Sequence, residues 1–198
     1  ISQAATGLMI YQTDGTVGFY YYNGSNWSEV GTTSPTYSIG NVVNDGVVFW
    51  LDSTGQHGLV CAFSDYATSL EWGCDGTDLP TVPNVPYNGG VPAGLGAEIG
   101  DGVTNTNDIL TGCPSASASL AARSLSPDWF LPSAKELNQM YVNKTTLEDV
   151  DGFSAFGSYL WSSTESDAGT AWYQSFNDGI QANYTKLATF NVRAVRVF

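Results

Sequence analysis

Short strand-like segments separated by turn-forming residues recur along this chain and limit its fold more than any other feature. Near the N-terminus, Asn23-Gly24 is a strong hairpin signal between the aromatic segment 19–22 and the segment 26–30. Strand-like segments return at residues 42–43, 47–51 and 58–63, and near the C-terminus at residues 159–162, 171–176 and 190–198. Short helices are predicted between these runs, so the order of strands, helices and strands indicates an α+β fold with a mixed, mostly antiparallel sheet.

The strongest helix signal begins at Ser133, which opens the Ser-x-x-Glu capping box 133–136. Two shorter helices are predicted over residues 106–112 and 115–123. Residues 75–104 are rich in Pro and Gly and predict a long irregular segment.

Residues 1–36 are predicted to form a separate β meander with a linker, followed by one domain over residues 37–198. A three-stranded meander is marginal alone. Two arrangements would stabilise it. The meander packs on its own domain, or its exposed strands add to the sheet edge of a second copy. The second arrangement gives a helical filament if the repeated contact between copies does not close into a ring. The predicted assembly residues are Leu8, Ile10, Phe19, Tyr21 and Trp27.

Acidic residues dominate the charge of the chain, with 19 Asp+Glu against 6 Lys+Arg and a net charge of −13. So few cations cannot neutralise a row of phosphates or sulfates, which excludes nucleic acids and similar polyanions as partners. The same charge repels an anionic membrane surface, and no apolar run is long enough to predict membrane insertion.

The three cysteines predict one disulfide and one remaining thiol. Cys74 and Cys113 lie in turn-like segments and are predicted to pair, whereas Cys61 lies in an apolar strand and is predicted to be buried. Three reduced thiols in a cytosolic protein are the alternative.

Four segments in fixed order resemble a known family: 47–60, beginning Val-Val-Phe-Trp-Leu-Asp; 128–138, beginning Asp-Trp-Phe-Leu-Pro-Ser; 159–165, Tyr-Leu-Trp-Ser-Ser-Thr-Glu; and 171–176 running on to Arg193 and Arg196. Together they resemble the Lcl C-terminal-domain family, a bacterial and phage branch of the C-type-lectin-like fold akin to fibrobacter-type major paralogous domains. The segment from Gly7 to Gly24 is similar to parts of bacteroidete surface proteins and tail-fibre proteins.

This resemblance implies that the C-terminal loops carry recognition, and in some relatives these loops are diversified by retroelements. Tyr, Asn and Ser also form adaptable binding surfaces. The alternative is a solvated polar loop. The predicted ligand-binding residues are Glu165, Asp167, Tyr173, Asn177, Asp178, Gln181, Asn183 and Tyr184.

The sequence predicts no enzyme. His57 is the single histidine, and no Gly-x-Ser-x-Gly motif is present. The formylglycine-generating branch of this fold uses cysteines near the C-terminus, and none follows Cys113 here. Paired carboxylates for glycoside cleavage stay open, although no motif marks a pair. Arg193 and Arg196 are predicted to pair with carboxylates or loop carbonyls as structural residues.

No cofactor is expected. Asp101, Asn105, Asn107 and Asp108 offer oxygen ligands for calcium, but helix capping by Asn105 or Thr106 explains this segment better.

Glycosylation is a further hypothesis, on the sequons at Asn23, Asn26, Asn143 and Asn183 and on an Asp-Ser-Thr segment at Ser53. Together these features predict a non-catalytic extracellular or cell-surface protein, a structural or adhesive fibre subunit that self-associates through its N-terminal strands. The alternative is the receptor-binding tip of a phage tail fibre or adhesin, with a carbohydrate or protein as its ligand.

Overall fold

The computed structural model describes residues 5–31 and 35–198 of the chain. The chain divides into two compact units, residues 1–35 and residues 36–198. Residues 1–4 of the predicted meander and residues 32–34 of the predicted linker lie outside the described residues. The fold is α+β, as predicted.

The first unit is a three-stranded antiparallel sheet in the order β1-β2-β3. Its strands are β1 Met9–Gln12, β2 Gly18–Tyr22 and β3 Trp27–Glu29. The predicted Asn23-Gly24 turn joins β2 to β3, and Gly15 and Gly24, in the two turns of this sheet, have the positive φ angles, 75° and 100°, that such turns require.

A four-stranded antiparallel sheet opens the second unit, in the order β12-β6-β5-β4. Its strands are β4 Val42–Val43, β5 Gly46–Leu51, β6 Gly58–Cys61 and β12 Val195–Val197. Asn44 and Asp45 form the two-residue loop between β4 and β5, with φ angles of 48° and 62°. Positive φ at both positions is typical of a tight hairpin loop.

The second sheet of this unit has five strands in the order β10-β9-β8-β11-β7. Its strands are β7 Ala67–Glu71, β8 Tyr159–Asp167, β9 Thr170–Ser175, β10 Gln181–Thr185 and β11 Thr189–Val192. Strands β8 and β11 are parallel, and the other neighbours are antiparallel. The predicted C-terminal strand is divided between β11 and β12, and β7 and β10 were not predicted.

Within the described residues of the second unit, four helices pack against its two sheets: α1 Asp101–Gly112, α2 Ser117–Arg123, α3 Ala134–Val142 and α4 Lys144–Glu148. The predicted capping box is present at the start of α3. The predicted start of α1 is wrong, because the helix begins at Asp101 after Gly100, whose φ is 98°. Asn105 and Thr106 therefore lie inside the helix and cap nothing. None of these helices is long and apolar enough to cross a membrane, considering the described residues alone.

Glu136 of the capping box also holds the loop before α1. The carboxylate of this buried residue accepts hydrogen bonds from Ser133 N at 2.7 Å and from Gly100 N at 2.8 Å. A methyl group at Gly102 would collide with this carboxylate. Burial raises the pKa of Glu136 to about 7, although the backbone N–H donors oppose this rise.

Three buried tryptophans fix the loops of the second unit, as large aromatic anchors do. Each indole N–H donates to a backbone carbonyl far away in sequence: Trp72 to Ser162 at 2.8 Å, Trp161 to Leu70 at 2.8 Å and Trp172 to Val85 at 2.6 Å. The Trp172 bond secures part of the irregular segment between β7 and α1.

The predicted disulfide joins Cys74 to Cys113, with their Cα atoms 6.3 Å apart. It links the end of β7 to the end of α1 across the irregular segment. Cys61 is buried as predicted, and burial raises the pKa of its thiol to about 12.

The two arginines of the last strands have different surroundings. Arg193 is fully buried, and its Nε donates to Asp65 Oδ1 at 2.6 Å. Arg196 stacks on Trp129 with its guanidinium 4.9 Å from the ring centroid. Within the described part of the chain, Nε and Nη2 of Arg196 have no hydrogen-bond partner, so the predicted ion pair holds for Arg193 alone.

Candidate functional site

The register of the N-terminal sheet divides its side chains between two faces. Met9 lies opposite Tyr21, Tyr11 lies opposite Phe19, and Tyr21 lies opposite Ser28. Because side chains alternate along a strand, these residues share one face, and residues 10, 20, 22, 27 and 29 share the other. We call the first the odd face. Its large strand side chains are Met9, Tyr11, Phe19 and Tyr21; Val30 joins it opposite Phe19, and Val17, which precedes β2, is assigned to it by continuing the alternation of that strand.

All six large side chains of the odd face are exposed. Among residues 5–31, no residue at all is buried. A segment so rich in aromatic and aliphatic residues usually buries part of them. Exposed apolar patches of this kind mark interaction surfaces. The first unit also carries just two charged side chains in its sequence, Asp14 and Glu29.

The predicted assembly residues divide between the two faces. Phe19 and Tyr21 lie on the odd face, whereas Leu8, Ile10 and Trp27 follow the even register. All five are exposed. The composition of the segment is the basis of this prediction, and the pairing register assigns its residues to the two faces.

A second exposed aromatic surface lies on the five-stranded sheet. Tyr159, Tyr173, Tyr184 and Phe190 come from four adjacent strands and line a shallow depression of about 290 Å³. Phe190 lies at the centre, with ring centroids 4.9 Å from Tyr173, 5.5 Å from Tyr159 and 6.0 Å from Tyr184. We call this group the tyrosine cluster.

Tyr159 and Tyr184 are the exposed tyrosines of the cluster, with 43% and 54% of their surface accessible to solvent. Tyr173 is half-buried between them, and burial raises the pKa of its hydroxyl, an effect to which Tyr159 adds. The cluster thus offers flat apolar rings and neutral hydroxyl donors, which is suitable chemistry for an uncharged polar ligand.

Two of the predicted ligand-binding residues, Tyr173 and Tyr184, belong to the tyrosine cluster. Gln181 and Asn183 alternate with Tyr184 along β10 and face the opposite side of the sheet. There Gln181 donates to Ala134 O at 2.8 Å, and Asn183 donates to the Ser166 and Thr170 hydroxyls. The Gln181 amide therefore joins β10 to α3, the Asn183 amide joins β10 to β8 and β9, and neither shares a surface with the tyrosines.

The other predicted ligand-binding residues also separate. Asn177 and Asp178 are exposed in the turn between β9 and β10, and Asp167 is exposed at the end of β8. Glu165 is fully buried, which contradicts its predicted place in a surface loop. Its Oε1 accepts a hydrogen bond from Lys186 Nζ at 2.5 Å. The carboxylate is therefore an internal partner of Lys186 and does not reach a ligand at the surface.

Sequence reasoning missed Tyr159 and Phe190. Both are aromatic residues in segments predicted as strands, and this was the available signal. The parallel pairing of β8 with β11, which brings them together, leaves no local mark in the sequence.

The predicted glycosylation sites differ in accessibility. Asn26 and Ser53 are exposed. The side-chain nitrogen of Asn143 donates to Phe49 O and Gln139 O, both at 3.1 Å. The side-chain nitrogen of Asn183 donates to the Ser166 and Thr170 hydroxyls. The side-chain nitrogen of Asn23 donates to the Ser28 hydroxyl, and its oxygen accepts from the turn backbone. A glycan replaces one hydrogen of the amide nitrogen, so it would displace one of the two bonds donated at Asn143 and at Asn183. The exposed Asn23 donates a single bond from its nitrogen and keeps a hydrogen for it.

The candidate calcium ligands all lie in α1, and Asp101, Asn105 and Asn107 make hydrogen bonds within the protein. Asp101 Oδ2 accepts from Gly96 N at 2.7 Å, and the buried Asn105 donates to Gly96 O at 2.7 Å. Asn107 accepts from Arg123, and Asp108 follows in the same helix. Within the described ranges, no group of three or more His, Cys, Asp or Glu side chains could hold a metal ion.

His57 lies at the surface, with Nδ1 3.5 Å from Asp52 Oδ2. Asp52 also accepts hydrogen bonds from the Thr54 hydroxyl and backbone, and these lower its pKa. The pair closes the turn between β5 and β6. A nucleophile beside this pair would be required for a hydrolytic triad.

Residues 1–48 match a family described as phage tail like trimerisation region. The match covers the whole first unit and residues 36–48 of the second, about a quarter of the chain. No curated protein matches the chain. The predicted similarity of the N-terminal segment to tail-fibre proteins is therefore confirmed at the level of a phage tail-like segment. The resemblance of the remaining residues to the Lcl family stays a prediction.

Proposed function

We propose that this protein is a structural subunit of a phage tail-fibre type assembly, in which the N-terminal segment joins three copies of the chain. The observation that carries the proposal is the N-terminal sheet, which buries none of its described residues and lies within the region matched to a phage tail-like trimerisation family. Burial of such a sheet between copies would supply the apolar core that it lacks alone. This role places the protein in a virion or outside the cell.

The mass of the full chain in solution tests this proposal. Three chains of 21.1 kDa give about 63 kDa, which light scattering and sedimentation distinguish from a monomer. A variant without residues 1–35 is expected to be monomeric. A full chain that stays monomeric at all accessible concentrations contradicts the proposal. Negative-stain images separate closed particles from the open helical filament that is the other form of self-association.

For residues 36–198 we propose a non-catalytic domain of the C-type-lectin-like class. The similarity of the four sequence segments supports this class, as do the tryptophan-anchored loops that the structure contains. The exposed position of His57 beside Asp52 is also consistent with a non-catalytic role. Conversion of a substrate by the purified protein would contradict it.

Ligand binding by the tyrosine cluster is a second candidate function, supported by the exposed rings of Tyr159 and Tyr184. Sugar rings and apolar protein side chains both pack on such surfaces. A glycan array and a cell-binding assay test it on the Tyr184→Ala and Tyr159→Ala variants. Tyr66→Ala is the matched control, because Tyr66 has a similar exposure of 45% and lies outside the cluster. Equal binding by all three variants would contradict this function.

A further inference from the structure

We infer that copies of this chain meet through the odd face of the N-terminal sheet, so that Met9, Tyr11, Val17, Phe19, Tyr21 and Val30 of each copy pack against the same residues of two others. This inference rests on the proposed trimer and identifies the surface through which its three copies make contact. The even face then points away from the shared core. Three features of the sheet support this choice.

The first feature is the difference in polarity between the two faces. The odd face presents aliphatic and aromatic side chains and one small polar residue, Ser28. The even face carries Gln12 and Glu29. Each face has one close aromatic pair: Tyr11 and Phe19 on the odd face, with ring centroids 4.9 Å apart, and Tyr22 and Trp27 on the even face, 5.5 Å apart. On the even face, however, Tyr20 and Tyr22 are half-buried and the Tyr20 hydroxyl donates to Thr16 O at 3.1 Å, whereas Tyr11, Phe19 and Tyr21 are exposed. The odd face therefore has more apolar surface to gain from burial.

The second feature is charge. Each copy has a net charge of −13, so copies approach most easily where charge is absent. Asp14 lies in the turn between β1 and β2, and Glu29 lies on the even face. Packing through the even face would bring three Glu29 carboxylates together in a dry contact, which is strongly unfavourable. Packing through the odd face brings together no charged side chain of the described residues.

The third feature is the shortness of the sheet edges. The edge strands are β1, with four residues, and β3, with three. Such short edges offer few backbone hydrogen bonds to a neighbouring strand. The structure therefore favours contact through a face over addition of strands to the edge of a second copy, which was the form of self-association predicted from the sequence.

Substitutions in two adjacent residues of β1 test the assignment of the face. Met9, on the odd face, is 56% exposed, and Ile10, on the even face, is 40% exposed. Met9→Glu is expected to raise the concentration at which the trimer half-dissociates by about 100-fold or more, because a charge enters the core of the contact. Ile10→Glu is expected to change this concentration less than about threefold. Sedimentation equilibrium of the full chain measures both.

Cross-linking gives a second test that does not rely on loss of assembly. Val30 and Glu29 are neighbours on opposite faces at the end of β3, and both are exposed. Mild oxidation of Val30→Cys is expected to give covalently joined copies, whereas Glu29→Cys is expected to stay unjoined at the same protein concentration. Circular dichroism checks that each variant keeps the fold.

The outcomes separate this inference from the proposed function. A trimer that is lost in Ile10→Glu but kept in Met9→Glu, or one that cross-links through Glu29→Cys, shows that the face is assigned wrongly while the trimer stands. Equal effects of the two glutamate variants, or none from either, also overturn the assignment. An unaltered chain that is monomeric throughout overturns both.

Discussion

Lys186 Nζ lies 2.5 Å from Glu165 Oε1, and both side chains are fully buried. The ammonium group also donates to Thr77 O at 3.0 Å and to Ala168 O at 2.9 Å, so all three of its protons have acceptors. It lies 4.8 Å from the centroid of the Trp72 ring. One lysine thus joins the turn after β10 to β8 and to the irregular segment.

Removal of this lysine is expected to destabilise the second unit strongly. Lys186→Met leaves Glu165 buried without its partner, so the free energy of unfolding should fall by about 3–5 kcal/mol. Replacement of both residues by Met and Leu should recover part of this loss. Lys135→Met is the control, because Lys135 pairs with Glu98 near the surface and should contribute less than about 1 kcal/mol. Urea unfolding measures each value, and equal losses for the two lysines would contradict the expectation.

Changing Arg193 to lysine is expected to reduce the free energy of unfolding more than changing Arg196 to lysine. The Arg193 guanidinium donates from Nε to Asp65, from Nη1 to Ala62 O and from Nη2 to Ser154 O. A lysine cannot reproduce this fork, so Arg193→Lys should reduce the free energy of unfolding by roughly 2–3 kcal/mol. Arg196→Lys loses mainly a stacking contact, worth about 1 kcal/mol. Thermal and urea unfolding test this order, and a larger loss at Arg196 would reverse it.

The stability of the protein should depend on pH through Glu136. Its pKa is about 7 in the folded chain against an ordinary value of 4.5, so the folded state holds a proton that the unfolded state releases. This contribution to stability is fully present below pH 4.5 and is lost as the pH rises through 7. At about 1.4 kcal/mol per pKa unit, the loss is roughly 3 kcal/mol.

Comparison with Glu136→Gln isolates this effect, because glutamine does not titrate. The free energy of unfolding of the variant should vary less than that of the unaltered chain between pH 4.5 and 7. Glu98→Gln is the control of opposite sign: Lys135 lowers the pKa of Glu98, so its contribution is lost when the pH falls below 4.5. Parallel pH profiles of the unaltered chain and Glu136→Gln would show that Glu136 does not titrate in this range.

Reduction of the disulfide should loosen the irregular segment. Cys74 and Cys113 are separated by 39 residues, and closure of a loop of this length stabilises the folded state by about 4 kcal/mol. The Cys74→Ser, Cys113→Ser double variant should lose this stability and become insensitive to reductant. Thermal unfolding with and without reductant measures the effect. A double variant as stable as the oxidised chain would contradict it.

Local signals predicted much of the fold. The Asn23-Gly24 hairpin, the capping box at Ser133 and the pairing of Cys74 with Cys113 each depend on a few neighbouring residues, and each is present in the structure. Strand β10 was missed because its segment, Gln-Ala-Asn-Tyr-Thr, is mostly polar and has no run of apolar β-branched residues. Its partner strand and the buried side of the sheet determine its conformation.

The candidate sites were predicted less completely, since they depend on long-range register. The aromatic content of the N-terminal segment suggested an assembly surface, and composition together with the family resemblance suggested Tyr173 and Tyr184 as ligand-binding residues; both stay predictions. Nothing local places Phe190 beside Tyr159 or directs Asn183 to the other face of the sheet. The burial of Glu165 likewise depends on Lys186, which is 21 residues away.

The disulfide has a consequence for when the protein becomes fully rigid. Glutathione keeps thiols reduced in most cytosolic compartments, so a chain made there would fold before Cys74 and Cys113 are joined. Oxidation after release would then tighten the connection between β7 and α1. The folded protein would then withstand heat and proteases better under oxidising conditions than in a reducing cytosol.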